Sequence, residues 1–324
     1  MAEGYRDSAL SRFSRRFRQF GGFRLLSAYA RLGILGKAFS VAVKGILKGK
    51  APGQIYSRVV GLAAPVLAKR YHPLVCEVVS RYADIPVSGE KSDTIWFCWL
   101  QGLEAAPEVV RKCHSSIVHN FPDRDVKVID SSNLEEYVTL PEIIRKRQEK
   151  GQIPQALLSD MIRLELLLKY GGTWMDSTIF CTGNDCPQEY LDSDLFLFRY
   201  YNPGMDFGGI SNWFITSCRN HPVLLMLRDL LCRYWEDFDC TLNFFIFHMF
   251  FSMIVKERPS LVENMPLGNS RDCLVLEHLL GKPFDASQYE RIVSKSAFHK
   301  LTYRLSPGTV NSVGTYYDKL IREG

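Results

Sequence analysis

Residues 153–180 read IPQALLSDMIRLELLLKYGGTWMDSTIF, and the folding of this stretch decides the architecture. Pro154 suits the first turn of a helix. The apolar positions Leu157, Leu158, Met161, Leu164, Leu166, Leu167 and Leu168 are too dense for a one-sided stripe, so the helix is expected to be mostly buried. Gly171 and Gly172 suit a helix stop. The chain then returns as TWMDSTI, which reads as a strand. Residues two apart on a strand share a face, so Asp176 and Thr178 are expected to project together. Asp160 and Arg163, three apart, share one face of the helix. They are either a structural ion pair or part of a polar site at the helix edge.

The chemistry of this pattern is that of a cation site. A carboxylate binds Mg2+ or Mn2+ directly, and a threonine hydroxyl ligates the ion or holds a bound water, because hard cations accept oxygen of any kind. Such a cation can bridge two phosphates and neutralise a departing diphosphate. The D-x-T spacing occurs often by chance, so a buried strand with a polar end accounts for it equally well.

Outward from this stretch, strand and helix signals alternate from Thr94. TIWFCWLQ (94–101) reads as a buried strand, PEVVRKCHSSIVHNF (107–121) as a helix opened by proline, VKVID (126–130) as a second strand, and LEEYV as the start of another helix. This order predicts an α/β domain with a mostly parallel sheet. Its ligand belongs at the carboxyl ends of the strands. Trp96 reads as a core residue. Upstream, Pro/Gly-punctuated stretches at 51–54 and 85–93 set off a region of different texture. Residues 1–90 hold 15 Lys or Arg against 5 Asp or Glu, which is +10 of formal charge on a chain whose net charge is +5. Residues 5–50 read as helices in which Arg12, Arg15, Arg16 and Arg18 alternate with Phe13, Phe17, Phe20 and Phe23. Such a face can lie at an anionic membrane surface or pack as a solvated helix on the catalytic domain.

The 324 residues, 46% of them apolar and 23% charged, are enough to bury a large core, and one catalytic domain with an appendage is expected. The nine cysteines form no C-x-x-C pair and have no histidine at zinc-finger spacing, so they read as reduced, mostly buried thiols. No secretory signal is visible at the start. The longest apolar runs, VVGLAAPVLA (59–68) and FFIFHMFFSMIV (244–255), are shorter than the roughly 20 residues a membrane span needs. A cytoplasmic protein, peripheral at the inner face of the cytoplasmic membrane, is the expectation. The basic region shows no nucleic-acid recognition motif, so nucleic acid is not expected as a partner.

Taken together, S-D-x-x-R on a helix, then Y-G-G, then W-x-D-x-T resembles the glycosyltransferases with a DxD sugar-binding region, family 32, and most closely their bacterial capsular polysaccharide synthesis branch. TIWFCWLQG followed by APEVVRKCHSSI is similar to that family's opening strand and helix, GGISNWFITSCRNHPVL (208–224) to its middle segment, and SAFHKLTYR (296–304) to its closing H-K-L element. The resemblance covers residues 90 to 305. It implies a GT-A, Rossmann-like nucleotide-sugar glycosyltransferase fold over residues 91–324, preceded by an α-helical extension over residues 1–90. It also implies a nucleoside diphosphate sugar donor, a UDP-sugar first among the candidates, and Mn2+ or Mg2+.

By the same resemblance Trp99 lies against the nucleotide base, with Gln101 beside it, and Asp160 and Arg163 hold the ribose or donor sugar hydroxyls. Asp176 matches the first acid of the metal motif, Thr178 stands where the second acid would be, and His299 matches a late histidine that completes the metal site. Lys295 and Lys300 meet the phosphates as point charges, and Asn212, in the GISN turn, either bonds a sugar hydroxyl or forms the turn. The implied reaction moves a sugar to a surface glycan or lipid-linked acceptor with retention of configuration. Because Thr178 replaces an acid, a catalytically inactive sugar-nucleotide or glycan binding module is the alternative.

Overall fold

The computed structural model describes residues 21–87, 89–199 and 209–323. In chain order its principal elements are α1 (Phe23–Arg31), α2 (Leu35–Leu47), α3 (Pro52–Tyr82), β1 (Thr94–Cys98), α4 (Glu108–Asn120), β2 (Asp125–Ile129), α5 (Glu142–Glu149), α6 (Gln155–Tyr170), β3 (Gly172–Met175), β4 (Ile179–Cys181), β5 (Leu195–Phe198), β6 (Ser211–Ser217), α7 (Pro222–Asp237), α8 (Ile246–Glu257), α9 (Ala286–Val293) and β7 (Phe298–Lys300). They gather into two compact units: Met1–Asp84 with Leu140–Met161 and Met226–Arg258, and Ile85–Thr139 with Ile162–Leu225 and Pro259–Gly324.

The first unit is helical in its described residues. Both long apolar runs of the sequence fall in it, one inside α3 and the other forming α8, and these two helices pack against each other. Tyr71 of α3 meets the Phe250 ring of α8 edge-on at 5.2 Å, while its hydroxyl donates to Asp237 Oδ2 at 2.9 Å. Burying that aromatic ring is favourable only because its polar tip finds an acceptor. No helix among the described residues is long and apolar enough to cross a membrane. The arginine and phenylalanine positions 12–20 of the expected basic face lie outside the described residues.

The second unit is built on a five-stranded sheet in the order β2-β1-β3-β6-β5. β1 pairs parallel with both β2 and β3, as the alternating strand and helix signals predict, and α4 supplies the crossover between β1 and β2. The mostly parallel expectation holds for those three strands alone. β6 runs antiparallel between β3 and β5, which makes the sheet mixed. The α/β architecture with a Rossmann-like parallel half and a helical N-terminal extension is therefore present. A second small sheet pairs β4 with β7 antiparallel. Ile95, Phe97, Met175, Phe196, Phe214 and Phe298 form the centre of the core, each fully or almost fully buried. Each such side chain contributes about 1.5–3 kcal/mol by leaving water.

The double glycine is the hinge between α6 and β3. Gly171 and Gly172 have φ of +70° and +93°, a region that side chains with a Cβ rarely adopt. A Cβ on Gly172 would also lie 2.4 Å from the Thr94 carbonyl oxygen of β1. The carbonyl of Gly171 accepts a bond from Trp96 Nε1 at 2.8 Å, which ties this corner to the sheet. Trp96 is thereby the core residue the sequence implies. Gly172→Ala should lower unfolding stability by at least about 2 kcal/mol, read as a lower urea midpoint at unchanged slope. Gly61→Ala, at an exposed position in α3 with open space around it, should leave the midpoint unchanged or raise it.

Candidate active site

β2, β1 and β3 are parallel, so their carboxyl ends lie along one edge of the sheet, and the residues directly after them are Asp130, Trp99 and Asp176. The expected single strand through Asp176 is broken there. β3 ends at Met175, the Ile179 N–H donates to the Asp176 carbonyl at 2.9 Å to close a turn, and the chain resumes as β4 in the other sheet. Asp176 and Thr178 are consequently not alternate residues of one strand. What brings them together is Lys300.

Lys300 ends β7, opposite Ile179 in the register with β4, and the Leu301 N–H donates to the Thr178 carbonyl at 2.8 Å. From there its Nζ donates to Asp176 Oδ2 at 2.8 Å and to Thr178 Oγ1 at 2.6 Å. The other carboxylate oxygen, Oδ1, accepts from Trp174 Nε1 at 2.8 Å and lies 3.3 Å from Arg163 Nη2. The Arg163 guanidinium stacks over the Trp174 ring, 4.9 Å from its centroid, and donates to the backbone carbonyl of Asn212. Arg163 is buried, whereas Asp176 and Lys300 keep about a quarter and a fifth of their side chains exposed (24% and 21%). Burial alone would raise the Asp176 pKa. The Lys300 ammonium, then the Arg163 guanidinium and the bonds from Lys300 and Trp174, outweigh it and hold the carboxyl below its ordinary value.

The remaining sequence candidates fall in different places. Asp160 is buried one turn before Arg163 on α6. Asn212 belongs to β6, not to a turn, and its carbonyl serves Arg163. Trp99 is half-buried at the strand edge with its ring edge-on to Tyr303 at 5.2 Å, and its Nε1 is buried without a hydrogen-bond partner. Gln101, just beyond, is exposed, as is Lys295 after the end of α9. His299 does not reach Asp176. As the neighbour of Lys300 on β7 it faces the opposite way, fully buried, with Nε2 3.1 Å from Thr182 Oγ1. Burial pushes its pKa down to about 4.

Two neighbours were not singled out from the sequence. Trp174 is two residues before Asp176, and alternation along the expected strand could have flagged it. Asp130 could have been flagged as the residue ending VKVID. Its Oδ1 accepts from Ser132 N–H at 2.8 Å and Ser132 Oγ at 2.5 Å, bonds that close a local turn and lower its pKa. Cys98 offers no thiolate nucleophile, since burial pushes its pKa up to about 12.

Residues 54–320 match the family described as capsular polysaccharide synthesis protein. The chain belongs to that family. No curated protein matches the sequence. Among solved structures it is similar to one titled "PaToxG Glycosyltransferase", at 15% identity over 82% of this chain and 97% of that one, with a TM-score of 0.36. It is also similar to a glycosyltransferase involved in glycosylation of the major capsid of PBCV-1, at 12% identity over 64% and 92% of the two chains, with a TM-score of 0.33. Both TM-scores are below 0.5, so neither superposition bears on the site.

The ligand set expected for Mn2+ or Mg2+ was Asp176, Thr178 and His299. The structure gives the oxygens of the first two to an ammonium and turns the third away. As arranged, these residues do not fit a divalent cation.

A buried neutral histidine destabilises the folded state in acid. With a folded pKa near 4 against an unfolded value of about 6.5, His299 contributes its full stability above about pH 6.5 and loses it as pH falls toward 4. His299→Gln should therefore flatten the decline of unfolding stability between those pH values, measured by urea melts. An unchanged slope would show that His299 is not buried and neutral.

Proposed function

We propose that this member of the capsular polysaccharide synthesis family is a glycosyltransferase that takes a sugar from a nucleoside diphosphate sugar and moves it to a surface glycan or lipid-linked acceptor. The observation that carries the reading is the grouping of Arg163, Asp176 and Lys300 at the carboxyl edge of β3. A Rossmann-like sheet receives its ligand along that edge. Two fixed cations there suit a diphosphate, and one carboxylate orients both of them.

In the proposed reaction the bond from the sugar anomeric carbon to the phosphate oxygen breaks, and its electron pair leaves with the diphosphate. The acceptor hydroxyl oxygen bonds to the same carbon from the same face, giving retention, and its proton passes to the departing phosphate oxygen. Arg163 and Lys300 oppose the negative charge that grows on the leaving group. Trp99 supplies a face or edge for the nucleotide base at the end of β1, with Gln101 next to it. Asp160, on the Arg163 face of α6, accepts from donor hydroxyls, and Asn212 helps position Arg163 through its carbonyl. Lys295 is an exposed second charge for the phosphates.

Purified protein offered a panel of nucleoside diphosphate sugars should slowly hydrolyse one of them. Asp176→Ala should reduce that rate at least about 100-fold, the scale of losing a preorganised charge at the reacting centre. A product of inverted configuration would sink the retaining scheme. The threonine in place of a second acid motivates the inactive binding module, and donor binding without turnover in the same panel would establish it.

The acceptor side of the reading rests on the helical unit. α2 exposes Phe39 (70%), Ile46 (66%) and Leu47 (81%), which lie at helical spacing, and a cavity of about 360 Å3 beside it is lined by Lys44, Lys48, Lys50 and Arg58 around Val41 and Leu62. Apolar side chains at the acyl boundary with lysines at the phosphates are the arrangement of an interfacial helix. Vesicles containing phosphatidylglycerol should sediment the protein, and a Phe39→Ser, Ile46→Ser double variant should bind them about tenfold more weakly or worse. Equal binding of the two proteins would remove α2 from the membrane contact.

A further inference from the structure

The Lys300 ammonium lies between Asp176 and Thr178, the two residues expected to share a metal ion. It contacts one oxygen of each residue, at 2.8 Å and 2.6 Å, so a cation already joins the two groups. We propose that Lys300 is a built-in replacement for the divalent cation, and that donor diphosphate is bound and released without a metal. The proposal deepens the glycosyltransferase reading and rests on it.

Three features of the site carry it. The first is anchoring. Lys300 is not a long side chain that happens to swing in: its backbone is paired with Ile179, and the next residue's N–H is bonded to the Thr178 carbonyl, so the ammonium is delivered to this turn by strand pairing. The second is charge. Asp176 is shared by the two cations Arg163 and Lys300, whereas a site that holds Mg2+ or Mn2+ draws on carboxylates free to offset the ion. A dication entering here would meet two fixed cations sharing the one carboxylate it needs. The third is coordination. Both Asp176 oxygens already serve donors, Lys300 on Oδ2 and Trp174 and Arg163 on Oδ1, so metal binding would break charge-assisted bonds at a partly buried carboxylate.

The Thr178 substitution becomes intelligible on this view. A second acid at that position would add a negative charge suited to a dication, while a hydroxyl accepts from an ammonium and adds no charge. An ammonium is a compact point charge with three donors, so one can turn toward a phosphate oxygen while two keep Asp176 and Thr178. The diphosphate then meets Lys300 and Arg163 together, and no metal is needed to accompany it out.

The test uses the full chain and separates metal from nucleotide. Mn2+ binding is followed by electron paramagnetic resonance, and binding of UDP, GDP, ADP and CDP by calorimetry, each in chelator and in excess Mn2+. The expected result is no Asp176-dependent Mn2+ binding, and one diphosphate bound equally well, within about twofold, in both buffers. Lys300→Ala should weaken that diphosphate at least about tenfold, the loss of one charge-assisted contact. Lys300→Arg, which keeps the charge, should recover part of it, whereas a merely structural lysine would show no such order. Diphosphate binding that requires Mn2+, or Mn2+ held by the wild-type chain and lost in Asp176→Asn, overturns the proposal while leaving the glycosyltransferase reading intact. A folded chain that binds neither Mn2+ nor any of the four diphosphates overturns both.

Discussion

A carboxylate withdrawn from water has to be met by positive charge, and Asp176 is the place where this structure meets that demand. Its partners come from α6, from β3 and from β7, three elements drawn from two separate stretches of chain. The bond to Lys300 also links the large sheet to the small one, because β3 precedes Asp176 in the first and Lys300 belongs to the second. Removing the acid would leave two cations facing each other, and removing either cation would leave the acid short of a partner. The local geometry of the site and the closing of the chain around it are one electrostatic problem.

The same group shows how few residues line the carboxyl edge of the parallel strands. Parallel pairing aligns the ends of β2, β1 and β3, so Asp130, Trp99 and Asp176 line up without any further device. The antiparallel β6 brings its first residues to that edge from the other direction, which puts the Asn212 carbonyl beside Arg163. The guanidinium stacks on Trp174 and is aimed by the Asn212 carbonyl and Asp176 among its partners, and a planar fork held in that way loses little freedom when it meets an anion.

Much of this was legible in the chain. The α6 helix, the glycine stop, β1, α4 and β2 follow from apolar spacing and punctuation, which are local properties, and the structure places them within a residue of the sequence reading, except that β1 ends three residues sooner. The region where Arg163, Asp176, Thr178 and Lys300 gather was also marked by residue type and order. The error lay in assuming that TWMDSTI continues as one strand. Alternation is a local rule, and it cannot see that residue 179 leaves for another sheet whose partner strand lies about 120 positions further along the chain.

Sequence by itself determined that this protein is an α/β chain with a basic helical beginning and a single acid at the end of a glycine-entered strand, because propensity, spacing and charge count need no distant partner. Only the tertiary structure decided what that acid is bound to. His299 and Lys300 are adjacent and look interchangeable as site residues, yet strand pleating sends one into the core beside Thr182 and the other onto Asp176 and Thr178. A one-residue difference of register would exchange them. Whether the position next to Asp176 holds an imidazole, a metal or an ammonium is set by how β7 pairs with β4, a contact between segments far apart in the chain.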